Sequence, residues 1–237
     1  MDIEKYYNDN YDLINNATHD IYNHMQKLQA EYYKKYTNYL SIEGGYNSFV
    51  KDDKKFNTLL NYKIINLLWC MNLIENNNNP NILEIGFNTG YSSSIMMIGL
   101  NNKKPNYYIF DYGIHSYINS CLDLFKSKFQ NKTNNISFIE GDSIITLPDF
   151  IKNNQNLIST FDFIHIDGGH SEECIKNDFM NCDILIKNPD GIIIIDDTNI
   201  PHINNEVDFY LNNKNYVELF FFNLEDFQHP HRIIKKK

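Results

Sequence analysis

Acidic residues recur at the ends of short apolar segments along this sequence. The acids are Glu84, Asp111, Asp142, Asp167 and the pair Asp196-Asp197. Carboxylates that gather in one place repel each other, so such a cluster needs hydrogen-bond donors from a ligand or a bound cation. Carboxylate oxygens are hard ligands that suit Mg²⁺ or Ca²⁺. The pattern therefore predicts a ligand site, unless one aspartate caps a helix and the others are solvated.

Glycines follow the first acid in the pattern Glu84-x-Gly86-x-x-x-Gly90. Glycine allows a tight turn and a close approach of the backbone to a ligand. The spacing differs from the Gly-x-Gly-x-x-Gly of nicotinamide-dependent enzymes, which disfavours that class. Further along the chain, Asp111 suits the two hydroxyls of a ribose, and Asp142 suits an adenine amino group. A simple strand-to-helix turn is the alternative for the glycines.

One histidine stands close to the acids in the sequence. His170 lies three residues after Asp167, and the ordinary pKa of histidine suits proton abstraction near neutral pH. The two interpretations of His170 are a general base and a residue that orients its loop through a local hydrogen bond. His165 is interpreted as a core histidine, and His202 as a candidate for the substrate site.

Alternating strands and helices must position these residues. Apolar runs of strand length lie at 82–85, 107–110, 136–139, 161–166 and 192–195, and amphipathic stretches predict helices at 91–100, 116–130, 148–154 and 172–187. Pro148 is predicted to be a first helical residue and Ser171 an N-cap. The alternation implies a parallel sheet with right-handed crossovers, which binds ligands beyond the carboxyl ends of its strands.

Different patterns flank this alternation. Residues 1–75 are predicted to form a helical extension or cap, with an amphipathic helix over 59–71, and residues 76–237 to form the main domain. After a helix at 203–213, apolar runs at 216–222 and 231–234 predict an antiparallel strand pair at the end of the sheet. The expected fold class is therefore α/β, with helices on both faces of the sheet.

The composition is that of a folded protein whose net charge does not attract polyanions. Of the 237 residues, 42% are hydrophobic and 22% are charged, which excludes wholesale disorder. A net charge of −9 disfavours nucleic acid and anionic membranes as partners. No apolar stretch has the length of a membrane span, and the N-terminal region contains no apolar run of signal-peptide length.

Cysteine and asparagine usage indicate the compartment and the source. The four cysteines show no Cys-x-x-Cys spacing, so reduced thiols are expected in place of disulfides or a zinc cluster. The chain has 37 asparagines but only two alanines, which indicates an AT-rich genome such as that of a large DNA virus, a protist or a bacterium. We expect a cytoplasmic protein, located in the host cytoplasm if the gene is viral.

Three ordered segments carry a resemblance to a known family. They are residues 82–92 (ILEIGFNTGYS), 161–170 (FDFIHIDGGH) and 190–197 (DGIIIIDD). In this order and spacing they resemble the class I S-adenosylmethionine-dependent methyltransferases, and more narrowly the methyltransferase domain 24 group with the caffeoyl-CoA and catechol O-methyltransferases. The resemblance covers roughly residues 60–200. It implies a Rossmann-like, seven-stranded, mostly parallel sheet whose last strand is antiparallel.

The resemblance implies a cofactor-binding role for the matched loop residues. Those that would bind S-adenosylmethionine are Glu84, Gly86, Asn88, Gly90, Tyr91, Ser92, Asp111, Asp142 and Ser143. Within this set, Asp111 would hold the ribose hydroxyls, and Asp142 would bind the adenine with Ser143 beside it.

The resemblance also implies a cation-assisted reaction. Asp167, Asp196 and Asp197 fall where metal-dependent relatives bind a divalent cation, and Mg²⁺ and Ca²⁺ are both compatible with them. Catechol-type enzymes have a lysine base where this chain has His170, so Asp167 and His170 are the candidate catalytic residues. The expected reaction is O-methylation of a small molecule of sugar or phenol type. The alternatives are a metal-independent methyltransferase that uses His170 as base, and a non-catalytic binding protein on the same fold.

The N-terminal helices are expected to mediate a homodimer. Residues 20–75 carry more aromatic and aliphatic side chains than a cap of this size requires. A small-molecule acceptor is the other expected partner, and neither nucleic acid nor a membrane is expected.

Overall fold

Seven strands form one sheet at the centre of the protein. The structure, a computed structural model, describes residues 5, 8–36, 59–74, 77–101, 103–220 and 230–237, and it describes the side chains of the second helix from Lys63 onward. The strands are β1 (Asn81–Ile85), β2 (Asn106–Asp111), β3 (Asn135–Glu140), β4 (Phe161–Ile166), β5 (Ile192–Ile195), β6 (Tyr216–Leu219) and β7 (Arg232–Lys236). Their order is β3-β2-β1-β4-β5-β7-β6, and β7 runs antiparallel to both of its neighbours. The predicted mostly parallel sheet with an antiparallel last strand is confirmed.

Helices cover both faces of this sheet. They are α1 (Tyr11–Tyr36), α2 (Leu59–Leu73), α3 (Tyr91–Gly99), α4 (Ile118–Phe129), α5 (Ser143–Asn153), α6 (Glu172–Leu185) and α7 (Pro201–Asn213). Side chains alternate along each strand, so Ile192 and Ile194 pack with α1–α4, while Ile193 and Ile195 pack with α5–α7. No described helix has both the length and the apolar character that crossing a membrane requires.

The first two helices pack into the core of the sheet. Ile21 and Met25 of α1, and Ile65 and Leu68 of α2, are buried in the same apolar cluster as Ile82 of β1. These helices therefore share a core with the α/β unit, and the predicted domain boundary at residue 75 stays a prediction.

The start of α5 differs from the one predicted. Asp142 is the N-cap, because its carboxylate accepts a hydrogen bond from the Ile144 amide at 3.0 Å, so the helix begins at Ser143. Pro148 lies inside the helix, and its assignment as a first helical residue is wrong. The N-cap predicted at Ser171 is confirmed, since its hydroxyl accepts from the Cys174 amide at 3.1 Å.

The C-terminal strand pair forms as predicted, with different bounds. Tyr216–Leu219 form β6, and residues 221–222 of the predicted strand lie outside the described residues. The second strand extends two residues beyond its predicted end, to Lys236.

All four cysteines are buried free thiols. They are Cys70, Cys121, Cys174 and Cys182. Burial raises the pKa of Cys121 to about 12 and that of Cys174 to about 11. At neutral pH these thiols are therefore protonated and poorly nucleophilic.

Candidate functional site

A cleft of about 560 Å³ opens at the carboxyl ends of β1 to β4. Five of the predicted cofactor residues line it, namely Gly86, Asn88, Asp111, Asp142 and Ser143. Asp167 and His170, the candidate catalytic residues, line it as well. The structure thus brings seven predicted site residues to the edge where a parallel α/β sheet binds its ligands.

Gly86 allows the loop after β1 to reach the end of β4. Its φ is +91°, in the left-handed region, and a Cβ atom at this position would lie 1.8 Å from the Asp167 carbonyl oxygen. Any side chain here would therefore push the loop away from β4. The Gly86 amide also donates to the Phe110 carbonyl at 2.8 Å, which fixes the loop against β2.

Asp111 holds the same loop through backbone amides. One carboxylate oxygen accepts from the Phe87 and Asn88 amides at 2.8 and 3.1 Å. The other oxygen accepts from the Gly113 amide at 2.8 Å. Hydrogen bonds to an ionised acceptor are strong, so Asp111 organises the loop in addition to lining the cleft.

Four predicted cofactor residues do not line the cleft in the described part of the chain. Gly90 is the N-cap of α3 with φ +76°, and Tyr91 and Ser92 begin that helix. Glu84 is fully buried, and it accepts hydrogen bonds from Ser92 at 2.5 Å and from Ser93. Glu84 is thus held in the core by the start of α3, and its contact with the cofactor stays a prediction.

A buried network connects Glu84 to the acid cluster. His165 Nδ1 lies 3.2 Å from Glu84 Oε1, across the β1–β4 pair. Burial lowers the pKa of His165, but Glu84, Asp167 and Asp196 together outweigh burial and raise it. The predicted core histidine is therefore buried as expected, and its imidazole connects Glu84 to the acid cluster.

Asp167, Asp196 and Asp197 meet at the ends of β4 and β5. Two overlapping groups of possible ligand atoms, each with all its atoms within 4.8 Å of one another, are His165–Asp167–Asp196 and Asp167–His170–Asp197. Burial raises the pKa of Asp167 to about 7, and the neighbouring Asp196 carboxylate adds to this rise. The three predicted carboxylates are thus close enough to perturb one another.

A lysine outside the predicted set pairs with one of these acids. Lys63 Nζ on α2 lies 2.5 and 2.6 Å from the two carboxylate oxygens of Asp196, and the two side chains are only 19% and 10% exposed. Burial lowers the pKa of Lys63, yet the pairing outweighs burial and raises it, so the ammonium group stays charged. Lys63 is not predicted from the sequence, because 133 positions separate it from Asp196. The available signal is a single charge in the apolar sequence of α2.

His170 pairs with a different acid. Its Nε2 lies 3.0 Å from Asp197 Oδ2, and this hydrogen bond is the main cause of a raised pKa at His170. The backbone carbonyl of His170 lies 2.6 Å from His202 Nε2. His202, predicted for the substrate site, therefore supports the His170 loop and is not among the residues that line the cleft.

Nitrogen-bearing side chains face each member of the acid cluster. The pairs are Lys63 with Asp196, His170 with Asp197, and His165 near Asp167. Repulsion among the three carboxylates therefore does not by itself require a bound cation, because the Lys63 ammonium group and the neighbouring imidazoles offset part of it. The donor set still fits a hard divalent cation, since the carboxylates of Asp167 and Asp197 lie together with His170.

A buried carboxylate that was not predicted lies behind the cleft. Asp178 Oδ2 accepts from the Cys174 thiol at 3.5 Å, and that sulfur lies 3.5 Å from the Ser143 hydroxyl. Asp178 Oδ1 has no hydrogen-bond partner among the described residues. Burial raises the pKa of Asp178 to about 6.

Comparison with protein families gives one match to the central part of the chain. Residues 83–198 match the family model of a methyltransferase domain. Comparison with curated proteins gives no match. The matched segment extends from β1 to just beyond the Asp196-Asp197 pair, so it contains the cleft and excludes Lys63.

Solved structures with this fold include several methyltransferases. CalS11, a TDP-rhamnose 3'-O-methyltransferase of calicheamicin biosynthesis, gives a TM-score of 0.57 at 13% identity over 73% of this chain and 79% of its own. A Staphylococcus aureus protein assigned as a caffeoyl-CoA O-methyltransferase gives 0.53 at 16% identity, over 89% and 91%. The S-adenosylhomocysteine-bound Podospora anserina methyltransferase PaMTH1 gives 0.51 at 18%, over 73% and 78%. At these identities the likeness shows the fold.

The family match and the fold agree over the central part of the chain. The sheet order, the glycine-containing loop after β1 and the cleft beyond the strand ends all fall within or beside the matched segment. Together they show that the central part of the chain is similar to the methyltransferase domain family and has the fold of these solved methyltransferases.

Proposed function

We propose that this protein transfers a methyl group from S-adenosylmethionine to an oxygen atom of a small-molecule acceptor. The observation that carries the proposal is the placement of Asp167 and His170 in the same cleft as Asp111 and Asp142. One cavity thereby contains the two acids proposed to bind a nucleoside and the two residues proposed to act on the acceptor. The acceptor is expected to be a phenol or a sugar, and the names of CalS11 and of the S. aureus protein both support O-methylation.

The cofactor is assigned to the loops at the ends of β1, β2 and β3. A cleft of about 560 Å³ has the size of a small-molecule or cofactor site. We assign the ribose hydroxyls to Asp111 and the adenine to Asp142 and Ser143, which line this cleft. PaMTH1, which has the same fold, carries S-adenosylhomocysteine, and this supports an S-adenosyl ligand here.

The chain's own residues position the reaction and take its proton. S-adenosylmethionine supplies the methyl group, so that a carbon–oxygen bond to the acceptor forms while the carbon–sulfur bond breaks and the sulfonium becomes a neutral thioether. The acceptor proton goes to the His170 imidazole, whose basicity the Asp197 hydrogen bond at 3.0 Å increases. Such a displacement depends mainly on orientation, which the Gly86 loop and Asp111 provide.

A divalent cation is proposed to assist, with Mg²⁺ and Ca²⁺ as the candidates. Asp167 and Asp197 would hold it, and Asp196 lies beside them. A cation bound there would lower the pKa of an acceptor hydroxyl and orient it.

A metal-independent methyltransferase is the second candidate, and one observation favours it. Lys63 already pairs with Asp196, so the site has a fixed positive charge, and the neutral imidazole of His170, held by Asp197 at 3.0 Å, is free to accept a proton. In that case His170 would take the proton without help from a cation.

Two measurements test these proposals in sequence. Calorimetry with S-adenosylhomocysteine should show micromolar binding, and no binding at millimolar ligand would contradict the cofactor assignment. Transfer of labelled methyl groups to a panel of phenols and sugars is then compared in Mg²⁺ and in excess EDTA. Loss of turnover in EDTA supports the cation, and equal turnover supports the second candidate. Cofactor binding without turnover on any acceptor would favour a non-catalytic binding protein.

A further inference from the structure

We propose that Lys63 is a positioning residue of the methyl-transfer site, and that it gives the two neighbouring aspartates different tasks. Its ammonium group binds Asp196 and holds α2 against the end of β5. Asp167, Asp197 and His170 are left to face the acceptor and a cation. This inference rests on the proposed function, and it departs from the expectation that Asp196 and Asp197 act together as metal ligands.

The contacts of Asp196 leave little of its carboxylate for a cation. Lys63 Nζ lies 2.5 Å from Oδ1 and 2.6 Å from Oδ2. The Asp197 amide donates a further hydrogen bond to Oδ1 at 2.9 Å. A cation could bind both oxygens only by displacing the ammonium group, which would leave a mostly buried lysine unpaired.

The two aspartates point in different directions. Ile192 and Ile194 pack on the face covered by α1–α4, and Asp196 continues their alternation, which directs it toward α2. Asp197 breaks the strand geometry with a φ of +53°, and its carboxylate reaches His170. In the described part of the chain His170 lines the cleft and neither aspartate of the pair does, so Asp197 is linked to the cleft through its 3.0 Å contact with His170.

A second polar contact fixes α2 at the same edge of the sheet. Asn66 Nδ2, one helical turn after Lys63, lies 2.8 Å from His231 Nε2 next to the start of β7. Between these residues, Ile64 and Ile65 are buried in the core. These two contacts fix the position of α2 along the edge of the sheet. Lys63 therefore takes part in the site although it lies outside the 83–198 family match.

A double-mutant cycle tests the ion pair. Lys63→Met should lower the melting temperature by roughly 5–10 °C, because Asp196 is left as a mostly buried, unpaired carboxylate. Adding Asp196→Asn to that variant should recover at least half of the loss. Simple addition of the two single losses would show that the residues are not coupled and would overturn the proposal. Lys236→Met removes a comparable pair, since Lys236 and Asp183 lie 2.7 Å apart and are 13% and 21% exposed, so it is the matched control.

The response of the melting temperature to Mg²⁺ tests the division of tasks. Mg²⁺ is expected to raise the melting temperature of the wild type, and this rise should persist in Asp196→Asn and disappear in Asp197→Asn. It should become larger in Lys63→Met, because the freed carboxylate of Asp196 then joins the site. The control Lys236→Met should respond as the wild type does. If Asp196→Asn loses the response as Asp197→Asn does, the proposal is overturned.

Kinetics separate a failure of this proposal from a failure of the proposed function. If Mg²⁺ does not change the melting temperature of the wild type and methyl transfer continues in EDTA, cation assistance is disproved. The role of Lys63 is then tested by the turnover number of its variants. Below its melting temperature, Lys63→Met should then lose roughly tenfold in kcat, with an unchanged affinity for S-adenosylhomocysteine. Lys63→Arg should recover most of the loss. Wild-type kcat in the folded Lys63→Met variant would leave Lys63 with a structural role alone and overturn the proposal.

Discussion

The charge of one buried residue limits the stability of the protein at neutral pH. Burial raises the pKa of Asp178 to about 6 in the folded state, whereas an aspartate in the unfolded chain releases its proton near pH 4, with a pKa of about 3.9. Between these values the folded protein binds more protons than the unfolded chain. Stability therefore falls as the pH rises from about 4 to about 6 and stays reduced above that range.

Asp178→Asn should remove this penalty. We expect the variant to melt about 5 °C higher than the wild type near pH 7.5, and to melt at the same temperature near pH 4. Thermal unfolding followed by circular dichroism across this range measures the difference. Asp149→Asn, at an exposed position of α5, is the control and should have no effect. Identical melting curves for Asp178→Asn and the wild type at the higher pH would contradict a buried charge.

Asp111 combines a structural and a ligand-binding role, and its removal should affect both. Asp111→Ala loses hydrogen bonds from the amides of Phe87, Asn88 and Gly113. We expect the affinity for S-adenosylhomocysteine to fall at least tenfold, roughly 1.4 kcal/mol, and the melting temperature to fall by a few degrees. Calorimetry and thermal unfolding measure the two effects. The control Asp123→Ala, at an exposed position of α4, should change neither, and an unchanged affinity in Asp111→Ala would disprove the ribose assignment.

At the scale of elements, the contact between the loop after β1 and the end of β4 depends on Gly86. Gly86→Ala places a methyl group 1.8 Å from a carbonyl oxygen, in a backbone conformation that side chains disfavour. The variant should lose S-adenosylhomocysteine binding and melt several degrees lower. Gly99→Ala is the control for strain outside the cleft: its methyl group would lie 2.9 Å from the Met71 Cβ atom, so it should lower the melting temperature and leave S-adenosylhomocysteine binding intact. Retained binding in Gly86→Ala would mean that the loop does not form the cleft floor.

The elements themselves were largely predictable, because strands and helices leave local patterns. The strand over Phe161–Ile166 follows from an apolar run that ends at Asp167, and the structure has the same bounds. The start of α5 was misplaced, because Pro148 resembles a first helical residue while Asp142 supplies the stronger local hydrogen bond.

The site was predictable only as far as its residues stand at strand ends. Asp167 and Asp197 follow from the rule that ligands bind beyond the carboxyl ends of parallel strands. Lys63 and Asn66 do not, since their partners lie 133 and 165 positions away. Such contacts depend on which helix packs on which face, and no local pattern encodes that choice.

At the scale of the whole molecule, we propose a homodimer formed through the N-terminal helices. Tyr33, Tyr36 and Leu73 are 46%, 51% and 45% exposed on α1 and α2, and exposed large apolar side chains are typical of interaction surfaces. Sedimentation at tens of micromolar protein should show a dimer. Tyr33→Glu combined with Leu73→Glu should shift it to a monomer, whereas Lys176→Glu, on the exposed surface of α6, should not. A monomeric wild type under these conditions would contradict the proposal.

The four buried thiols can report local unfolding of different parts of the protein. Cys70 and Cys121 lie in the core layer of α1–α4, and Cys182 lies in the layer of α5–α7. Each can react with an alkylating reagent only when its part of the protein opens. Cys174 lines the cleft, so a bound ligand shields it directly and the other three only through global stability. Mass spectrometry of alkylated peptides would therefore distinguish occupancy of the cleft from general tightening of the fold, with no label introduced.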